Sequence, residues 1–132
     1  MVHYPLSYQF GKKEEIKVLP ILQEYFKRDI KAYEERYSKH DFYDEEYNYE
    51  LKSRTNTLKA YPDTMITENK VTENKKLILV FNYKDCLAYI EYNKEKFATF
   101  RRELFSRANL LSDEKIHLFI PVEELTLSLI HI

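Results

Sequence analysis

The chain has 132 residues, a length typical of one domain built around one hydrophobic core. Hydrophobic residues make up 44% of the sequence and aromatic residues 15%, which argues against intrinsic disorder. The 21 Lys and Arg residues are balanced by 22 Asp and Glu residues, so binding to nucleic acid or an anionic membrane would need a local basic patch. One cysteine excludes an intrachain disulfide and a multi-thiolate zinc site, and one glycine excludes the glycine-rich phosphate loops of the Walker and Rossmann types.

The two ends of the chain carry further information. Residues 1–5 lack the basic and apolar regions of a signal peptide, and no apolar run approaches the ~20 residues that cross a bilayer, so we expect a soluble, intracellular protein without a membrane partner. The last six residues, LSLIHI, are the in-frame translation of CTGTCTCTTATACACATC, a transposon end used to prepare sequencing libraries. We therefore expect one domain over residues 1–126 and an adapter-derived tail over residues 127–132, in a gene assembled from metagenomic or viral DNA. A natural C-terminal strand is the alternative.

The first half of the chain is predicted to form a helix followed by a β-hairpin. Apolar residues recur at helical spacing over residues 11–27, and Pro20 is expected to kink or restart this helix. The tyrosine-rich segments 41–43 and 47–52 flank a polar corner that begins at Asp44, a pattern typical of two strands joined by a tight turn.

The second half of the chain supplies the centre of the predicted sheet. Residues 77–81 are a continuous apolar run, as expected of a strand buried on both faces, and residues 87–92 are its expected hairpin partner. Apolar residues at helical spacing predict a second long helix over residues 94–111. The remaining predicted segments are an exposed loop over residues 54–63, a short helix over residues 64–71 and a final strand over residues 116–120. This order predicts an α/β (α+β) fold with a central mixed β-sheet flanked by helices.

The predicted hairpin carries the residues that point to chemistry. Asp41 begins one strand and Glu50 ends the next, so a tight turn brings the two carboxylates to the same end of the sheet. Lys52 follows Glu50 by two positions, so both side chains project from one face while Leu51 points to the other. Carboxylate oxygens suit Mg²⁺ or Mn²⁺, and a nearby ammonium stabilises the charge of a reacting phosphate. These are the groups that phosphodiester hydrolysis requires.

Asp41 is followed, after a turn, by Glu50-Leu51-Lys52, and an acidic helix precedes both. In this arrangement, residues 11–97 resemble the PD-(D/E)XK nuclease superfamily, which includes restriction endonucleases and Holliday-junction resolvases. The resemblance implies a restriction-endonuclease-like core. It also implies that Asp41 and Glu50 bind the metal, that Lys52 assists the nucleophile, and that Glu15 on the first helix completes the catalytic and metal site.

Several residues mark departures from that pattern or alternatives within it. Glu14 is the less favoured candidate for the acidic residue on the first helix, because Glu15 shares a helical face with the apolar residues Leu19 and Leu22. His40 stands where the motif has proline, and Asp44 is a second candidate for the role of the motif aspartate. We interpret His40 and His117 as surface or structural residues, and Cys86 as a packed apolar residue.

The resemblance implies a Mg²⁺-dependent endonuclease that acts on DNA, with a homodimer as an expected assembly. The basic residues Arg54, Lys59 and Lys70 follow the motif and are the predicted nucleic-acid contacts. Five tyrosines could stack on bases, although packing within half-buried strands is the preferred interpretation. They are Tyr33, Tyr37, Tyr43, Tyr47 and Tyr49. Two alternatives remain open, namely a nuclease-fold protein that binds nucleic acid without cutting it and a structural or regulatory interaction module.

Overall fold

The computed structural model describes residues 6–35, 38–105 and 115–128, which form a mixed α/β architecture with one long helix. In chain order the helices and strands are α1 (Leu6–Phe26), β1 (Lys31–Ala32), β2 (Phe42–Tyr43), β3 (Tyr47–Ser53), β4 (Asp63–Thr67), β5 (Lys76–Asn82), β6 (Leu87–Glu91), α2 (Lys94–Phe97), β7 (Arg101–Phe105), β8 (Lys115–Pro121) and β9 (Thr126–Ser128). Within the described ranges, no helix combines the length and the apolar character needed to cross a membrane.

The strands of these ranges form two sheets. The larger sheet has six strands in the order β1-β2-β3-β5-β6-β9, and the smaller has three strands in the order β4-β8-β7. Strands β3 and β5 run parallel, with Glu50 opposite Leu79, whereas every other neighbouring pair in the two sheets is antiparallel. The predicted mixed central sheet is confirmed, and its parallel pair places the carboxyl ends of β3 and β5 at one edge.

Helix α1 packs on one face of the larger sheet. Its apolar stripe includes Val18 and Leu22, which are buried in one core cluster with Tyr49 of β3. This burial of one face, with charged side chains on the other, explains why the segment is helical. The helix predicted over residues 11–27 is confirmed, although it begins earlier and continues through Pro20.

The opposite face of the larger sheet is covered by the smaller sheet. Leu79 and Phe81 of β5 are buried together with Ile66 of β4 and with Leu118 and Ile120 of β8 in a second core cluster. A strand that is buried on both faces, as β5 is, reads as a continuous apolar run. The central sheet is therefore flanked by a helix on one side and by a second sheet on the other.

The long helix predicted over residues 94–111 is wrong. Only α2 is helical, with the side chain of Asn93 capping its start, and the chain then enters strand β7. Strand β7 pairs with β8 and places Leu104 opposite Ile116, where Leu104 stays exposed. Pairing with a strand later in the chain overrides the local helical spacing, and the end of the predicted helix beyond residue 105 lies outside the described residues.

The short helix predicted over residues 64–71 is also wrong. This segment is strand β4 followed by one turn of 3-10 helix at Glu68–Lys70. Thr64 and Ile66 are buried while their neighbours are partly exposed, which is the alternation expected of a strand with one buried face. The burial of that face depends on pairing with β8, a partner far away in sequence.

The remaining predicted strands are present. The predicted hairpin over residues 41–52 corresponds to β2 and β3, the predicted apolar hairpin to β5 and β6, and the predicted final strand to β8. Strand β9 includes the first two residues of the predicted tail and pairs with β6. Residues 129–132 lie outside the described residues, and the adapter origin of the tail stays a prediction.

Candidate active site

The β2–β3 hairpin places Asp41 beside Glu50. Within the hairpin, Phe42 lies opposite Tyr49. The backbone N–H of Asp41 donates a hydrogen bond to the carbonyl oxygen of Tyr49 at 3.1 Å, so Asp41 and Phe42 both lie opposite Tyr49, as in a β-bulge. Asp41 is therefore held next to the part of β3 that leads into Glu50.

The carboxylate of Glu50 is buried among cationic groups. Its side chain is 3% exposed, and Oε2 lies 3.3 Å from Nζ of Lys52 and 3.9 Å from Nζ of Lys70. Its other oxygen, Oε1, lies 3.3 Å from Nδ1 of His40, whose Nε2 is 3.0 Å from Oγ1 of Thr72. We call Glu50, His40, Lys52 and Lys70 the Glu50 cluster. Opposite charges at this separation compensate the cost of burying the carboxylate.

A second pair of carboxyl groups joins helix α1 to the hairpin. Glu15 lies one turn before Val18 on the buried stripe of α1, and its carboxyl group is within hydrogen-bond reach of Asp41. Burial first, and then the hydrogen bond and repulsion from Asp41, raise the pKa of Glu15 to about 7, although Lys12, 3.2 Å away, acts in the opposite direction. Two carboxyl groups so close together resist carrying two negative charges, and a bound cation would relieve that repulsion. We call Glu15 and Asp41 the carboxyl pair.

The carboxyl pair and the Glu50 cluster meet at one peptide group of β3. Oδ2 of Asp41 accepts a hydrogen bond from the backbone N–H of Leu51 at 2.7 Å. Leu51 lies between Glu50 and Lys52, and its side chain packs in the α1 core cluster while its two neighbours project from the opposite face. The carboxyl pair, on the side of α1, and the Glu50 cluster, on the other face of β3, are therefore connected through the β3 backbone.

Asp44, the alternative to Asp41, has a structural role in the hairpin turn. Arg28 donates two hydrogen bonds to its carboxylate, the hydroxyl of Tyr49 donates another at 2.6 Å, and the backbone N–H groups of Glu46 and Tyr47 donate two more. Burial alone would raise the pKa of Asp44, but these donors together hold that pKa well below its usual range. A carboxylate with all its lone pairs engaged is not available to a metal ion.

Glu14, the alternative to Glu15, lies elsewhere. Its Oε1 accepts a hydrogen bond from Nδ2 of Asn82 at 3.2 Å, near the end of β5, and its other oxygen lies 4.0 Å from Lys17. Of the two helical acids, Glu15 is the one in contact with Asp41.

The three predicted nucleic-acid contacts are not brought together. The guanidinium of Arg54 donates to the carbonyl oxygen of Met65 and to Oγ1 of Thr64 at 3.3 Å, so it links the two sheets. Lys59 is exposed on the loop before β4, whereas Lys70 belongs to the Glu50 cluster. Lys70 is the one of the three that lies beside the candidate site.

His40 is the site residue that sequence reasoning set aside. It is 5% exposed and contacts both Glu50 and Thr72, which makes it part of the buried network. The signal was its position directly before Asp41, because a residue that flanks a motif strand lies next to the motif side chains. By contrast Cys86 packs against the second core cluster, as the sequence predicted.

The donor set fits a small hard cation better than a transition metal. Within residues 6–35, 38–105 and 115–128, no three His, Cys, Asp or Glu side chains form a group able to hold a metal ion by themselves. Mg²⁺ usually takes one or two carboxylates and fills its other positions with water and substrate phosphates. The carboxyl pair supplies that number of ligands.

No family model, curated protein or solved structure matches this chain. The function of the site is therefore inferred from its own geometry and chemistry.

Proposed function

We propose that this protein is a metal-dependent nuclease that hydrolyses phosphodiester bonds in DNA. The observation that carries the proposal is the position of Asp41, which contacts Glu15 and also accepts the backbone N–H between Glu50 and Lys52. Asp41 thus connects the carboxyl pair to the strand segment of Glu50 and Lys52, which project from the other face of β3. Hydrolysis of a phosphodiester with the help of Mg²⁺ needs this combination of oxygen ligands and positive charge.

The order of the elements supports the same proposal. An acidic helix, two antiparallel strands around a tight turn, and a further strand parallel to β3 follow one another, as the resemblance to PD-(D/E)XK nucleases implies. The segment between β3 and β5 departs from that expectation, because it contains strand β4 and short 3-10 turns instead of a helix. The departure lies on the side of the smaller sheet and leaves the hairpin intact.

The carboxyl pair would provide the protein ligands for Mg²⁺ or Mn²⁺. When bound, such an ion polarises a phosphate and lowers the pKa of a coordinated water. The raised pKa of Glu15, about 7, means that the pair releases its last proton only near neutral pH. We therefore expect metal affinity to increase as the pH rises through about 7, because the fully ionised pair attracts a cation more strongly.

Lys52 is the proposed source of positive charge at the reacting phosphate. Its ammonium group is held 3.3 Å from Glu50, and its side chain remains 31% exposed, so a phosphate can approach it from solvent. A preorganised charge stabilises the transition state more than the bound substrate. Lys70, whose ammonium group lies 3.9 Å from the same oxygen of Glu50, would contact a neighbouring phosphate.

The test is a cleavage assay with Mg²⁺ or Mn²⁺ on single-stranded, duplex and branched DNA. We expect Lys52→Ala to lower the rate by about 100-fold or more while changing DNA affinity by only a few-fold. Lys52→Arg should also be slow, because a planar guanidinium does not replace a compact ammonium beside a carboxylate. The matched control is Lys94→Ala, which removes an exposed lysine at the start of α2.

Two outcomes would contradict the proposal. One is full activity of Lys52→Ala in a preparation free of host nucleases. The other is equal binding of Mn²⁺ by the wild type and Asp41→Asn in calorimetric titration, which would remove the carboxyl pair from the metal site.

A second candidate is a protein with the same site that binds DNA without cutting it. The observation in its favour is that both oxygens of Glu50 already have close partners in Lys52, Lys70 and His40. A carboxylate so fully engaged contributes little to a metal ion. Salt-dependent DNA binding without any cleavage in the presence of Mg²⁺ and Mn²⁺ would favour this candidate.

A further inference from the structure

A cavity of about 550 Å³ opens beside the Glu50 cluster. Strands β2 and β3 and the segments that precede β2 and β5 form its walls. Six of the residues that line it are Tyr33, His40, Tyr43, Asn48, Thr72 and Asn74. Its volume is in the range of small-molecule pockets, and aromatic and amide groups dominate the wall that belongs to the hairpin.

This cavity shares a wall with the candidate active site. His40 and Thr72, which line it, are hydrogen-bonded to each other, and His40 contacts Glu50 on its other side. Asn48 precedes Glu50 by two residues on β3, so the two side chains project from the same face, about 6.6 Å apart along the strand. A ligand in the cavity would therefore reach the Glu50 cluster with its nearest substituent.

Asn48 is a buried residue whose side-chain amide nitrogen can donate a hydrogen bond to a ligand. It is 5% exposed, and its Oδ1 accepts a hydrogen bond from the hydroxyl of Tyr33. Its amide nitrogen has no hydrogen-bond partner within residues 6–35, 38–105 and 115–128, and the side chain lines the cavity. This amide donor is therefore available to an acceptor on a ligand in the cavity.

The aromatic wall suits a flat, uncharged group. The rings of Tyr33 and Tyr43 lie 4.5 Å apart between centroids and are tilted by 37°. Burial raises the pKa of Tyr33, so its hydroxyl stays neutral and continues to donate to Asn48. Aromatic side chains and an amide are the groups that proteins use to hold a single unpaired base.

Charge around the cavity fixes the direction of such a ligand. Glu34 and Glu35 also line the cavity and would repel a phosphate at their side. Cationic groups lie at the wall shared with the Glu50 cluster, where Lys70 donates a hydrogen bond to the carbonyl oxygen of Lys39, a residue that lines the cavity. A nucleotide would therefore place its uncharged base in the cavity and its phosphate toward Lys70 and Lys52.

We propose that this cavity binds the base of an unpaired nucleotide, so that the substrate of the site is single-stranded DNA or a DNA junction with an unpaired segment. This inference rests on the proposed nuclease function and names its substrate class. A base that is stacked and paired within a duplex cannot enter a pocket on the protein without leaving the helix, which costs a few kcal/mol and favours strands that are already unpaired.

The experiment measures binding without cleavage, in a buffer that contains EDTA. Fluorescence anisotropy compares a labelled thymidine dodecamer, the same backbone with abasic sites throughout, and a blunt duplex. We expect the wild type to bind the thymidine dodecamer about ten-fold more tightly than the abasic backbone, in line with the usual effect of stacking one base on an aromatic side chain. Asn48→Ala should lose most of that ratio, and Asn56→Ala, the matched control in a loop outside the cavity, should retain it.

A second variant covers the case in which Asn48→Ala fails to fold. Tyr43→Leu keeps an apolar side chain in the wall but removes the aromatic ring, and it should also lower the preference for bases. Equal binding of the thymidine and abasic backbones by the wild type would overturn the inference, as would tighter binding of the blunt duplex.

The two proposals fail in different ways. Cleavage in Mg²⁺ without any preference for unpaired bases would overturn the base pocket and leave the nuclease function standing. A preference for unpaired bases in a protein that cuts no DNA would overturn the nuclease function and leave the base pocket standing.

Discussion

Two carboxyl centres at opposite ends of the β2–β3 hairpin, Asp44 in the turn and Asp41 with Glu15 of α1, have opposite electrostatics. Asp44, in the turn, receives five hydrogen bonds from side chains and backbone, and these hold its pKa well below the usual range in spite of burial. At the far end, burial and repulsion from Asp41 raise the pKa of Glu15 to about 7. Both centres are partly or wholly shielded from water, so exposure does not explain the difference.

The difference lies in the supply of hydrogen-bond donors. A carboxylate whose lone pairs are all engaged is stable as an anion and fixes the local fold, whereas two carboxyl groups that face each other with fewer donors favour a proton or a cation. The sequence pattern favoured Asp41 and left Asp44 as a second candidate for the same role. Their partners show that Asp44 stabilises the turn, whereas Asp41 contacts the carboxyl group of Glu15.

The largest expected effect is the loss of stability on replacing Asp44, the carboxylate with five hydrogen-bond donors. Asp44→Ala leaves the Tyr49 hydroxyl and two backbone N–H groups without an acceptor and separates Arg28 from its partner. We expect the free energy of unfolding to fall by about 2–4 kcal/mol. Asp41→Ala loses one backbone hydrogen bond but relieves repulsion, so it should cost less than about 1 kcal/mol. Urea unfolding of both variants measures the contrast, and equal losses would contradict it.

A smaller effect on stability is expected at two buried tyrosines, one with a hydrogen-bonded hydroxyl group and one without. The hydroxyl of Tyr49 donates to Asp44 at 2.6 Å, whereas the buried hydroxyl of Tyr83 has no hydrogen-bond partner within the described parts of the chain. Tyr49→Phe should destabilise the protein by about 2 kcal/mol, because it removes a hydrogen bond to a charged group. Tyr83→Phe should be neutral or stabilising by up to about 1 kcal/mol. Thermal unfolding of the two variants gives the comparison, and a loss at Tyr83 as large as at Tyr49 would show that its hydroxyl has a partner.

The smallest effect is a dependence of stability on pH at the carboxyl pair. The folded protein holds the Glu15 proton more tightly than an unfolded chain, in which the pKa is about 4.5. The contribution of protonated Glu15 is therefore present below about pH 4.5 and is lost as the pH rises to about 7. The full pKa difference corresponds to about 3 kcal/mol, and solvent screening of the partly exposed side chain reduces the expected loss to about 1–2 kcal/mol. Glu15→Gln should remove this slope and be the more stable protein at pH 8. An unchanged slope between pH 4.5 and 7, measured by urea unfolding, would contradict the assignment.

Local patterns in the sequence were sufficient for the elements that position the site. Alternation placed Glu50 and Lys52 on one face, and the apolar stripe of α1 placed Glu15 beside the sheet. The segments that were assigned wrongly share one property, since β4 and β7 both pair with β8, a strand far from β4 in sequence. Helical spacing of apolar residues cannot reveal a partner at that distance. His40 was set aside for a related reason, because its neighbours Glu50 and Thr72 come together only in the folded chain.

The two sheets are interleaved along the chain, and this has a consequence for how the molecule folds. Strand β4 lies between β3 and β5 in sequence, yet it pairs with β8 in the other sheet, so neither sheet is formed by a continuous stretch of chain. The parallel pairing of β3 with β5 closes a loop that contains β4. Strand β4 can pair only after β8, which comes later in the chain, has been synthesised. Folding should therefore be slow and occur as one cooperative transition, because so many contacts are distant in sequence. A ribosome-bound chain that ends before β8 would lack the partner of β4, and the strand that carries Glu50 would acquire its final surroundings only late in synthesis.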